Sequence, residues 1–268
     1  MGSSAKSLQA FLGAAGDVVL VNVREAAGST PREAGAWMLV SPDAIYGTIG
    51  GGQLEFMAID RARQMIANAA SADLLDVPLG PEIGQCCGGR VKIALTLADQ
   101  ALRAEVSERA ARADALLPHV YLFGGGHVGR ALAEALALLP LKVTVVETRA
   151  DAVGGLPESV EVELTAVPEE AVRAAPAGSA FIVLTHDHAL DFLIVAEALA
   201  RRDAAYVGMI GSRTKRATFV SWYRKEAGGG EEAAARLVCP IGGADVKDKR
   251  PAVIAALAAA EVMRGLAG

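Results

Sequence analysis

The sequence predicts an α/β protein, with a doubly wound parallel sheet in its C-terminal half and a smaller α+β domain ahead of it. Three observations carry that prediction. Short apolar runs around Val120, Val143, Val162, Ile182 and Val207 alternate with helical stretches, the pattern of parallel strands joined by crossover helices. The run Tyr121-Leu122-Phe123 enters a cluster of three glycines and an alanine- and leucine-rich stretch leaves it, which reads as strand, tight turn and helix. Hydrophobic residues make up 52% and aromatic residues only 4% of the 268 positions. The core must therefore be built from Ala, Val, Leu and Ile, as α/β proteins allow.

In chain order, Leu8–Ala15 suggests a short helix and Val18–Val23 a strand. The polar stretch from Glu25 to Gly35 reads as a loop because it concentrates Gly, Pro and hydroxyl residues. Trp37–Val40 and Ile45–Ile49 return to strand. Gly50-Gly51-Gly52-Gln53 then opens a helix whose apolar positions Leu54, Met57, Ala58, Ala62, Met65 and Ile66 share one face. Three glycines permit a sharp turn, and the helix start they lead into is an anion-favouring place. Leu74–Leu79 and Val91–Leu97 read as strands flanking a loop that carries Cys86 and Cys87 between glycines. Adjacent side chains on extended backbone point opposite ways, so at least one of the two sulfurs is expected to be exposed. A thiolate there could bind a soft metal or carry sulfur. Asp99–Leu117 reads as a connecting helix, which divides the chain into domains 1–117 and 118–268. The last helix, Pro251–Leu266, starts with proline in its first turn.

Gly124, Gly126 and Gly129 satisfy G-x-G-x-x-G after a strand, an arrangement that lets backbone amides at a helix start approach a phosphate. Glu147, 18 residues after Gly129, closes the next strand where a dinucleotide-binding fold keeps its ribose-binding carboxylate. A Rossmann-type unit follows, with its ligand left open. Three further clusters stand where strands should end. In Thr185-His186-Asp187-His188, with Asp191 beyond, loop hydrogen bonding and ligand contact compete with a metal site. In Gly211-Ser212-Arg213-Thr214-Lys215, Ser212 can cap a helix while Arg213 and Lys215 counter an anion, or the helix face is simply solvated. Cys239 sits next to Pro240 in the third, where burial is the plain reading.

A net charge of -5 without a basic cluster argues against nucleic acid as the main partner. No apolar run is long enough to span a bilayer and no secretory signal stands at the start, so a cytoplasmic protein is expected. Three cysteines are too few and too unevenly placed for a disulfide framework.

Taken together, Gly28-Ser29-Thr30-Pro31-Arg32, Gly47 to Glu55, Gly84-Gln85-Cys86-Cys87-Gly88-Gly89, the turn from Phe123 to Arg130, Thr185 to Asp191, Met209 to Arg216 and Cys239 to Gly243 resemble the xanthine dehydrogenase accessory protein family, XdhC, within the XdhC/CoxI group. The resemblance covers nearly the whole chain. It implies a non-enzymatic cytoplasmic chaperone that binds the molybdopterin form of the molybdenum cofactor. Such a protein supports sulfuration by a cysteine desulfurase and delivers the cofactor to apo-xanthine dehydrogenase. A homodimer is also implied. Many CoxI relatives carry Cys after the triple glycine where this chain has Gln53, which places it nearer the XdhC branch and turns attention to Cys86 and Cys87.

The candidate cofactor-binding residues are thus Gly50, Gly51, Gly52, Gln53, Cys86, Cys87, Gly124, Gly126, His127, Gly129, Glu147, His186, Asp187, Ser212 and Arg213, with Cys86 and Cys87 as candidate molybdenum contacts. The cofactor is expected between the domains. Two other readings stand beside this one. An NAD(H)-dependent oxidoreductase would use Glu147 on the ribose and His127, His186 or His188 as acid or base. A sensing scaffold would use the Rossmann unit for NAD or another nucleotide as a regulatory signal.

Overall fold

The computed structural model describes residues 5–80, 88–243 and 245–267. These divide into two compact units, one running through Ala115 and the other starting at Leu116.

The first unit is an antiparallel sheet with helices on both faces. In chain order its elements are α1 (Ala5–Ala14), β1 (Val19–Ala27), β2 (Trp37–Val40), β3 (Ile45–Gly47), α2 (Gly52–Ala67), β4 (Ala72–Pro78), β5 (Arg90–Leu97) and α3 (Gln100–Ala115). The strand order is β3-β2-β1-β5-β4. Alternation along β1 sorts its side chains: Val19, Val21 and Val23 join Leu54, Ala58, Ala62 and Met65 of α2 in one core, as the helical spacing predicts. Leu20 and Trp37 belong to the other face, with Leu8 of α1 and Val106 and Ala110 of α3. Burying each such aliphatic side chain is worth roughly 1.5–3 kcal/mol.

Two expectations need correction here. The loop expected from Glu25 starts only at Gly28, because β1 continues past a bulge between Val23 and Glu25 and pairs as far as Ala27 with Arg90. The polar residue that looked loop-like is held across the sheet, Glu25 to Lys92 at 2.8 Å. The helix expected as a connector is also a packed layer of the first unit: besides burying Val106 and Ala110, its Asp114 accepts a hydrogen bond from the Ala5 amide at 2.7 Å.

The second unit is a doubly wound parallel sheet. Its elements are β6 (His119–Phe123), α4 (His127–Leu136), β7 (Lys142–Glu147), β8 (Glu161–Leu164), α5 (Glu169–Ala174), β9 (Ala180–Val183), α6 (His188–Ala200), β10 (Tyr206–Met209), α7 (Arg213–Lys225), α8 (Glu231–Ala235), β11 (Leu237–Val238) and α9 (Pro251–Leu266). The order β11-β10-β9-β6-β7-β8 with parallel pairing throughout is that of a Rossmann sheet, whose direction of winding reverses between β6 and β9. α4 and α9 cover one face through Leu132, Leu136, Ala255, Ala258 and Val262. α5 to α8 cover the other through Val172, Ile194, Phe219 and Ala234. The two-residue strand β11 is the element the sequence pattern passes over. Among the described residues no helix is long and apolar enough to cross a membrane.

Candidate cofactor-binding site

At a winding reversal the loops after two neighbouring strands diverge and leave a crevice beyond their carboxyl ends. Here those loops are the glycine turn after β6 and the Thr185–Asp187 segment after β9. Gly124 holds φ at +118°, and a Cβ there would come within 2.6 Å of the Leu184 carbonyl oxygen. A Cβ on Gly129 would fall 1.9 Å from the Gly124 carbonyl oxygen. Both positions are therefore demanded by the fold. Gly126 is different. It holds an ordinary φ of -64°, no side chain caps the helix that follows it, and a Cβ on it would meet nothing within 4 Å. Neither conformation nor packing within the chain requires glycine at this position. Its bareness leaves the start of α4 open to a group from outside.

His127, the first residue of α4, and His186 are both exposed on this rim. Asp187 is committed to its own helix: its Oδ1 accepts from the amides of Ala189 at 2.8 Å and Leu190 at 3.4 Å, capping α6.

Glu147 ends β7, as the spacing predicts, yet its carboxylate turns back on the glycine turn. Oε2 accepts from the Gly125 amide at 2.8 Å. Oε1 accepts from the amides of Thr148 at 2.9 Å and Arg149 at 3.1 Å. Burial of the carboxyl opposes ionisation, but the Gly125 and Thr148 amides and the Arg149 side chain outweigh it and hold its pKa below the ordinary carboxylate value. The residue expected to read a ribose thus braces the turn.

A clasp joins the first two clusters. Asp191 is fully buried and accepts from the Thr185 amide at 3.0 Å and the Thr185 hydroxyl at 2.7 Å. It also takes Lys215 Nζ as a buried ion pair. Lys215, expected to counter an anion, is therefore neutralised inside the protein, while Arg213 is exposed. Ser212 caps α7 by accepting from the Lys215 amide at 3.1 Å, as expected. Cys239 is buried, and that burial raises its thiol pKa. No group of three His, Cys, Asp or Glu able to hold a metal is found among the described residues.

In the first unit, a Cβ on Gly50 would lie 2.7 Å from Pro31 Cβ, and one on Gly28 would lie 3.1 Å from Gly89 Cα. The Gly28–Arg32 loop thus lies against Gly50 and Gly89. The turn that leads into α2 through Gly50 and Gly51 is partly filled from within, although no side chain caps α2 itself. Glu55 of α2 itself reaches back, and its Oε2 accepts from the amides of Ile49 at 2.9 Å and Gly51 at 3.1 Å and from the Thr48 hydroxyl. The anion cradle expected here carries its own carboxylate. Gln53 is exposed in the first helical turn. Cys86 and Cys87 lie outside the described residues.

The XdhC Rossmann domain model matches residues 120–262, and the XdhC and CoxI family model matches residues 12–78. The chain is similar to the uncharacterized protein YqeB of Escherichia coli K12, at 26% identity over 267 residues that cover 91% of this chain and 43% of that protein. It thus spans less than half the length of that curated relative. It is also similar to a crystal structure described as a xanthine dehydrogenase from Bacillus halodurans. That likeness has a TM-score of 0.80 at 16% identity, covers 99% of this chain and 96% of the other, and bears on the fold alone.

Proposed function

The chain belongs to the XdhC family, and on that premise we propose that it is an accessory protein of molybdoenzyme maturation. In this reading it binds the molybdenum cofactor in its molybdopterin form, protects it, supports its sulfuration by a cysteine desulfurase and delivers it to apo-xanthine dehydrogenase. The observation that carries the binding step is Gly126, the turn glycine that neither dihedral nor neighbour demands. A helix start kept bare in this way suits the terminal phosphate of a pterin cofactor. When bound, the cofactor supplies a soft, sulfur-ligated metal and a hydrogen-bonding pterin. The chain supplies the α4 amides behind Gly126, the exposed His127 and His186 on the rim, and Arg213 as an exposed cation at the start of α7. Cys86 and Cys87 enter as the thiol component, on their sequence setting.

Anaerobic incubation with molybdenum cofactor, followed by gel filtration and assay of pterin and metal in the protein peak, tests the proposal. Retention of both is expected. A protein peak without pterin overturns it, and tight NAD(H) binding with turnover of an alcohol or carbonyl would put an oxidoreductase in its place. Retention should fall in Cys86→Ala or Cys87→Ala if the thiols contribute, and unchanged retention in both removes them from the site.

A further inference from the structure

Among the described residues of the first unit, the sheet face turned away from α2 is only partly covered by α1 and α3. Beside the contact made by α1 and α3 lies a cavity of about 270 Å³, the volume of roughly nine water molecules at ~30 Å³ each. Its floor is unusual for a sheet. Asn22 lies on β1, the central strand, with Ala94 beside it on β5 and Trp37 beside it on β2. Central strands disfavour asparagine. This one is half-buried, lines the cavity, and its side-chain amide has no hydrogen bond with any described residue. The small side chain of Ala94 keeps the space above it clear.

The walls add specific chemistry. Trp37 offers an aromatic surface and Thr96 a hydroxyl. Arg24 and Glu105 line the same cavity without an ion pair to any described residue, and Arg109 spends one guanidinium nitrogen on the Gly35 carbonyl at 3.3 Å. Two guanidinium groups against one carboxylate leave the lining positive. An apolar wall, unspent polar groups and a cationic margin are the chemistry of a small-molecule site, here in a concavity a little below the usual range of roughly 300–1,000 Å³.

We propose that this cavity binds a planar, hydrogen-bonding heterocycle that carries an acidic group, of the kind shared by pterin carboxylates and oxopurines. The ring lies along Trp37, its polar edge meets Asn22 and Thr96, and its negative group faces Arg24 and Arg109. The proposal does not depend on the reading of the crevice at the end of β6.

The chain has two tryptophans, so Trp222→Phe leaves Trp37 as the sole emitter and serves as the parent. Titration of the parent with pterin-6-carboxylate and, separately, with urate, corrected against free tryptophan, should give saturable quenching by at least one. The ligand that quenches identifies the source of the heterocycle. Quenching by neither overturns the proposal. Asn22→Leu, Ala94→Leu and the surface change Arg24→Glu should each weaken binding about tenfold or more, the loss expected when a site's polar partner is removed or its space is filled. Arg24→Glu alters an exposed side chain and should leave the circular dichroism melt unchanged. Undiminished quenching across these variants also overturns the proposal.

Discussion

The two glycine-rich helix starts of this protein look alike in sequence and differ in what fills them. Before α2, Glu55 of the same helix occupies the amides of Ile49 and Gly51. Before α4, Glu147 of the neighbouring strand takes one amide of the glycine turn, that of Gly125, and leaves the Gly126 position clear. Three glycines before a helix therefore do not define an anion site. Both turns hold a carboxylate of the chain, four residues away in one and twenty-two in the other, and they differ in how many turn amides it takes, two before α2 and one before α4.

The sharpest way to break the comparison is at Gly129. Gly129→Val puts a side chain where 1.9 Å already separates a Cβ from a carbonyl oxygen. A loss of about 3 kcal/mol or more is expected, read as a collapse of the cooperative melt. Lys215→Met would leave Asp191 buried without its cation, a change that typically costs about 3–5 kcal/mol. Denaturant midpoints against wild type measure it, and the double variant Asp191→Leu with Lys215→Met should recover part of the loss.

At the first helix start, Glu55→Ala frees two amides and should cost about 1–2 kcal/mol. The same variant should show a larger sulfate-dependent rise in Tm than wild type, beyond the general stabilisation that sulfate gives both. If sulfate raises both melting temperatures equally, the carboxylate is not what closes this cradle. At the second helix start, Glu147 has its folded pKa depressed below the ordinary value of 4.5, so its contribution is present above that value and is lost as pH falls through the folded pKa. Melting temperatures from pH 6 down to pH 3 should therefore drop less steeply in Glu147→Gln than in wild type. The smallest stability effect belongs to Gly126→Ala, within about 0.5 kcal/mol of wild type, while its retention of cofactor should fall by an order of magnitude or more. A Gly126→Ala protein that retains cofactor normally would show that the open position faces no ligand.

Much of the fold was legible because its signals are local. The alternation of Val19, Val21 and Val23, the one-sided α2 and the strand-glycine-helix junction at Phe123 to Arg130 each fit within a few residues of chain. β11 gives no local signal because two residues carry no periodicity. The end of β1 is hidden because Glu25 reads as loop in sequence, and its partner Lys92 stands opposite it only in the folded sheet. The site was less legible than the fold for the same reason. Gly124, Gly126 and Gly129 are indistinguishable as letters, and only the neighbours of their missing side chains separate the glycines the fold needs from the one it does not. Lys215 and Asp191 lie 24 residues apart, and nothing in the local pattern reveals that one cancels the other.

Gly126 also has a meaning for genetics. Changes at most positions of a turn like this one remove the protein from the cell along with its activity, because what fails to fold is degraded. Gly126→Ala is expected to spare the fold, so its product should accumulate to the native level and, on the proposed delivery role, compete with the native chain while holding little cofactor. The expected phenotype is dominant interference, where a Gly129 allele would be a recessive loss.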